Sequence, residues 1–125
     1  MSMKRIILEM GTGNDLYGQD YTKAACRAVQ DALHHSSLAL FTSLGLNRDH
    51  MRVEVSIGVQ LPDAIVCEQI AAQIPYGQVI VKAQLGGLNV VDPEAGSTTV
   101  IASAAVAAFI DLPDEPFLLT PTASS

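Results

Sequence analysis

Three groups of residues have side chains and spacings that could do chemistry. The first lies in residues 11–25, G-T-G-N-D-L-Y-G-Q-D-Y-T-K-A-A, where an apolar run passes through a glycine-rich polar stretch into a helical pattern. Glycines let backbone N–H groups approach a ligand, and the start of the following helix favours an electron-rich group. Asp15, Gln19, Asp20, Thr22 and Lys23 are therefore the candidate ligand-binding residues. Two aspartates disfavour a bare phosphate and leave a hydrogen-bonded polar ligand or a cation. The alternative is a structural turn in which Asp15 and Asp20 accept backbone N–H groups and Gln19 braces the loop. Neither G-x-G-x-x-G nor a Gly-Lys-Ser/Thr ending is present, so dinucleotide and P-loop readings fail.

The second group is Lys82, Glu54 and Ser103, polar residues on strands that are otherwise apolar. A lysine screened from water can act as base toward a serine, and a carboxylate can carry protons. These three are the catalytic candidates; the alternative is an ion pair that fixes the register between subunits. The third group is His34-His35-Ser36-Ser37. Adjacent histidines on a helix diverge by about 100°, whereas metal pairs prefer a spacing of four, so these read as a helix C-terminus. No metal site and no cofactor is expected.

The elements that must position these groups can be read from the rest of the chain. Its 125 residues are one domain's worth, 49% apolar and only 16% charged. Excess apolar surface in so small a domain implies burial between subunits. The net charge of −6 lacks the clustered Lys and Arg of a nucleic-acid footprint, and with no Trp there is no base-stacking platform. No apolar run has the length or flanks of a membrane span or signal peptide, so a cytoplasmic location without membrane partners is expected. Cys26 and Cys67 fall in apolar helical patterns and read as buried, reduced thiols.

Residues 4–10 read as a first strand, with Ile6, Leu8 and Met10 on one side and Arg5, Ile7 and Glu9 on the other. Asp20 is the N-cap of a helix to about residue 35. Residues 36–45 form a connector and 47–50 a turn. In residues 51–59, Val53, Val55, Ile57 and Val59 alternate with Arg52, Glu54, Ser56 and Gly58, the clearest strand in the chain. A second helix starts at Leu61-Pro62-Asp63, buries Val66, Ile70 and Ile74, and stops at Pro75-Tyr76-Gly77. Residues 78–85 are a third strand and 85–97 a turn-rich connection; in 98–110 the alanines favour a helix, but Val100, Ile101, Val106, Phe109 and Ile110 fit a long strand buried on both faces, and a strand is expected. The three prolines after Asp111 predict an irregular tail in which Phe117 and Leu118 dock on a neighbour.

The expected fold is α+β, with order β-α-β-α-β-β. A four-stranded mixed sheet carries two helices on one face, a single domain spans residues 1–111, and the tail is 112–125. The helices can cover only one face. The other would carry Glu9, Glu54, Ser56, Lys82, Gln84 and Ser103, and must meet water or another subunit.

Two resemblances follow. The strand-helix-strand-strand run of residues 51–111 resembles the second half of proteins with the trimeric chorismate mutase and YjgF/Rid-like fold. That likeness implies a homotrimer with helices outside, sheets packed into a central barrel, and ligand clefts at subunit boundaries. Residues 15–38, D-L-Y-G-Q-D-Y-T-K-A-A-C-R-A-V-Q-D-A-L-H-H-S-S-L, resemble a family of short conserved hypothetical proteins with the signature D-L-x-G-Q-D-x-T-K-A. Members often have His at the position of Tyr17. The arginines with which chorismate mutases and Rid-type imine deaminases grip a carboxylate have no counterpart: the third strand has Lys82, which lacks the bidentate fork. Ring-opening amidohydrolases of the cyanuric acid hydrolase type, similar to three such domains in one chain with serine-lysine pairs, are the distant precedent for Lys82 with Ser103.

The function expected is that of a small oligomeric protein whose inter-subunit clefts bind a small polar metabolite, as a hydrolase or deaminase of nitrogenous compounds. The alternative is a non-catalytic metabolite-binding or assembly module.

Overall fold

Alanines at positions 24, 28 and 32 leave one flank of helix α1 (Tyr21–His34) as nearly bare backbone. In the computed structural model of the chain, which describes residues 2–34, 51–74 and 77–112, this flank rests on strand β1 (Ser2–Asp15). A Cβ on Gly11 would collide with the backbone of Ala28 and Ala32, and one on Gly13 with that of Ala24 and Ala28. These two glycines therefore belong to the strand and admit the helix. The strand runs to Asp15, five residues beyond the expected end at Met10.

The same contact sets the parity of β1. Because Gly11 and Gly13 must face α1, Glu9 shares their side, opposite Val106, while Leu8 and Met10 face away. This reverses the expected assignment, which placed Glu9 with Glu54 and Lys82. The turnover in facing is decided by backbone contact, which hydrophobic alternation does not register.

Strand β2 (Arg52–Val59) keeps the expected alternation, with Val53, Val55, Ile57 and Val59 buried. The second helix is shorter and broken. A 3-10 turn at Pro62–Ala64 is followed by α2 (Cys67–Ala71), and Ile70 and Ile74 are buried while Val66 stays exposed. The break has a physical cause: the Val66 N–H is bonded to the Thr22 hydroxyl at 3.0 Å instead of to a helical carbonyl. Strands β3 (Gln78–Leu85), β4 (Leu88–Asp92) and β5 (Ser97–Leu112) complete the sheet.

The sheet is mixed, with β1-β5-β2-β3 as its path and β4 paired to the first part of β5. Only β2 and β3 are parallel; β1, β2 and β4 all run antiparallel to β5. Five strands are described rather than four, because part of the stretch read as a connection, residues 88–92, folds back on β5. β5 continues to Leu112, past the expected domain limit at 111, and the tail 113–125 lies outside the described residues, as do residues 35–50 with His35. The α+β class, the mixed sheet and two helices hold.

The core lies between α1, α2 and the inner face of the sheet, where Val29, Val55, Ile57, Ile70, Val100 and Ala102 are fully enclosed. Cys26 and Cys67 are free and half-buried rather than buried, since they sit on the rim of the α1–α2 contact. Burial, and next the Asp20 charge, push the Cys26 thiol above its usual range. The outer face has no helix over it among the described residues. There Leu8, Met10, Ile80, Leu88 and Val90 are exposed, Met10 at 69%.

Candidate functional site

Asp15 is the last residue of β1, and its inward parity places a carboxylate under the loop that follows. One oxygen, Oδ2, accepts the Asp20 N–H at 3.0 Å. The other, Oδ1, lies 3.7 Å from Arg27 Nη1 and 3.9 Å from Lys23 Nζ. Its side chain is 8% exposed, against 54% for Lys23, so the anion is fixed and the cations face water. A Cβ at Gly18 would come within 2.8 Å of Asp15 Oδ2, which explains a glycine at that point of the loop. Gln19 holds φ 50°, a left-handed conformation that non-glycine residues adopt infrequently.

Asp20 is the N-cap expected from the sequence: its Oδ1 accepts the Lys23 N–H at 3.0 Å. Around these groups is a depression of about 460 Å³ lined by Asp15, Leu16, Tyr17, Gly18, Asp20, Lys23 and Arg27. Asp15, Asp20 and Lys23 are thus brought together. Gln19 does not line the depression, and Thr22 is buried elsewhere, where its hydroxyl donates to Ala64 O at 3.3 Å and accepts from Val66. Thr22 is a strap between α1 and the 3-10 turn rather than a ligand contact.

Arg27 completes the cluster and was not among the candidates. Its signal was its spacing, four residues after Lys23 on one flank of α1. Arg27 Nη1 also donates to Asn14 O at 2.6 Å, and Asp31 Oδ2 accepts the Thr12 N–H at 2.9 Å. Both partners are outward-pointing backbone groups of β1, which is a sheet edge. Side chains of α1 therefore close this stretch of edge against strand addition.

The catalytic candidates sit on the outer face. Lys82 is in register with Ser56, and Ser103 with Gly58. Two strand spacings and one two-residue step separate Lys82 from Ser103, about 12 Å between Cα atoms. Glu54 bonds Arg52 at 3.0 Å, and the Arg52 guanidinium stacks 5.0 Å from the Phe109 ring centroid. Within one protomer the three do not form a nucleophile-base pair. A second depression, about 500 Å³, opens on this face with Met10, Thr12, Asp31, Ser56, Gln84 and Ser103 in its lining; neither Lys82 nor Glu54 lines it. Among the described residues, no group of three His, Cys, Asp or Glu side chains could hold a metal ion. No helix among them is long and apolar enough to cross a membrane.

A mixed sheet covered by helices on one face, with a charged loop at the end of its edge strand, defines an α+β domain with one open face. The chain belongs to the family described as Conserved hypothetical protein (Lin0512_fam), whose model matches residues 5–108. Among solved structures it is similar to the crystal structure of an FtsZ-like protein of unknown function from Nostoc punctiforme. The two are 35% identical with a TM-score of 0.78, over 90% of this chain and 99% of that one. No curated protein matches the chain.

Proposed function

We propose that the protein is a homo-oligomer whose open sheet faces cover one another and whose subunit boundaries form clefts for a small polar metabolite. The observation that carries this is the uncovered face, where Leu8, Met10, Ile80, Leu88 and Val90 are all exposed on one side. A trimer of the chorismate mutase and YjgF-like kind is the simplest arrangement with helices outward and sheets inward. The solved relative is described as FtsZ-like and of unknown function, so it lends shape and no activity. In such an assembly the depression beside Asp15, with exposed Leu16 and Tyr17 on its rim, is available as a cleft wall. Its paired charges, Asp15 and Asp20 against Lys23 and Arg27, suit a neutral or dipolar ligand with several hydrogen-bonding groups. The test is native mass measurement together with a thermal-shift screen of polar metabolites. An oligomer with ligands that raise its Tm supports the reading, and a stable monomer ends it.

A hydrolase or deaminase is the second reading, favoured by Lys82, which has no hydrogen-bond or ion-pair partner among the described residues. Since Lys82 and Ser103 are apart in one protomer, this chemistry requires them to meet across a boundary. Turnover of cyclic amides or imines that disappears in both Lys82→Met and Ser103→Ala is its signature. Ligand binding without turnover leaves a non-catalytic module.

A further inference from the structure

We propose that residues 117–120 in the tail of one copy add as a strand to the free edge of β4 in a second copy. Strand β4 pairs with β5 on one side only, and all five of its residues are exposed. Half of its backbone N–H and C=O groups therefore point away from the sheet, a template for one more strand.

The other sheet edges are guarded and this one is not. Beside β1, Arg27 donates to the Asn14 carbonyl at 2.6 Å and Asp31 accepts the Thr12 N–H at 2.9 Å, while Lys4 and Arg5 stand in the first part of the strand. Edge β3 carries Lys82 in its middle. Charges of this kind keep foreign strands off an edge. From Leu85 to Val91, L-G-G-L-N-V-V, there is none, and Leu85, Leu88, Val90 and Val91 are each more than half exposed. An apolar edge left unguarded beside two guarded ones is built to receive a strand.

The tail holds a segment of matching kind. Pro116 and Pro121 bracket Phe117-Leu118-Leu119-Thr120, an uncharged run about as long as β4. Proline cannot continue a ladder, so the run pairs over its own length and no further. Whichever parity it takes, at least one of Phe117, Leu118 and Leu119 falls on the face that carries Leu88 and Val90.

Reach decides whose tail it is. The pairing of β5 with β4 ends at Ile101, and β5 ends at Leu112, roughly 36 Å further on at about 3.3 Å per residue. From Leu112 to Leu119 an extended chain spans at most about 25 Å. A tail therefore falls short of its own β4 and is free to meet that of a neighbour. Giver and receiver lie toward opposite ends of β5, so the contact is head-to-tail, the kind that closes a ring such as a trimer. The inference rests on the self-association proposed above and adds a contact at the sheet edge rather than across its open face.

Backbone amide exchange of the full chain is followed over a concentration series, with native mass measured on the same samples. The outward N–H groups of residues 88–92 are expected to exchange about tenfold or more slowly as copies associate. One of Leu118→Pro and Leu119→Pro removes a bonded N–H whatever the parity. The double variant should therefore return these amides to their dilute rate, while Ala123→Pro, beyond the bracket, should not. A synthetic peptide of residues 113–122, added to the double variant, should slow the same amides again without raising the native mass. Protection that is absent at every concentration, or that survives the double variant, overturns the tail contact. Absent protection in an oligomer leaves the sheet-face reading standing; absent protection in a monomer ends both.

Discussion

Gly13 meets helix α1 backbone to backbone, and a methyl group there has nowhere to go. The obstructing atoms are the Ala28 amide nitrogen and the Ala24 carbonyl oxygen, which belong to helical hydrogen bonds and cannot rotate aside. Gly13→Ala should therefore cost about 3 kcal/mol, with a fall in Tm of roughly 10 °C, measured by urea and thermal unfolding. Cys26 offers a pH test. Its thiol is raised by burial and by Asp20, so the unfolded chain gives up this proton first, from the ordinary value of 9.0. Above that pH the unfolded state binds fewer protons than the native state, and stability falls as pH rises. Cys26→Ser should flatten that part of the urea-midpoint profile between neutral and alkaline pH; an unchanged slope difference excludes the thiol. At this scale the sequence was legible in part. Asp20 as N-cap follows from its residue type and place. The role of Gly11 and Gly13 does not, because a glycine that admits a helix and a glycine that cradles a ligand are the same letter.

Helix α1 joins the elements, and its three flanks do different work. Its alanine flank lies on β1, Val29 enters the core, and Arg27 with Asp31 reaches the β1 edge. Thr22 ties its first turn to residues 64–66, and Tyr21 Oη accepts the Asn89 amide of β4 at 2.8 Å. Thr22→Val keeps the side-chain volume but leaves the Val66 N–H and the Ala64 carbonyl unpaired in a partly buried place. The expected loss is about 2 kcal/mol in urea, without loss of β-structure by circular dichroism. Strands β2 and β3 were readable because each alternates over a long run; β5 does not alternate, and only Val100, Ile101, Val106, Phe109 and Ile110 weighed for a strand against the helical preference of its alanines. β4 was not readable: Leu88–Asp92 lies between Gly86-Gly87 and a D-P-E-A-G turn, and its pairing to residues 97–101 is a tertiary choice. The second helix was overextended for the same kind of reason, since Val66 gives its N–H to a side chain from α1.

On the scale of the whole molecule, the parity of β1 matters most. Turning Gly11 and Gly13 inward turns Leu8 and Met10 outward, where they join Ile80, Leu88 and Val90 on a sheet face that α1 and α2 do not reach. The sequence had already implied an uncovered face, but a more polar one. With Glu9 moved to the other side, the face is more apolar and more basic than expected, with Arg52 and Lys82 against Glu54. The five strands, from five to sixteen residues long, offer roughly 800 Å² at about 3.3 Å rise and 4.8 Å spacing, the contribution of one partner to a standard interface. Met10 is the most exposed of these apolar residues, and it lines the hollow of this face. Met10→Glu places an unpaired carboxylate in the proposed contact, with solvent in the free monomer as its better environment. The substitution should weaken self-association by about 2 kcal/mol or more, roughly thirtyfold in dissociation constant, and leave monomer stability within about 0.5 kcal/mol. Sedimentation over a concentration series reads the first quantity, and urea unfolding at dilute protein the second. An oligomer indifferent to Met10→Glu is built through another surface, such as the free part of the β1 edge before Thr12.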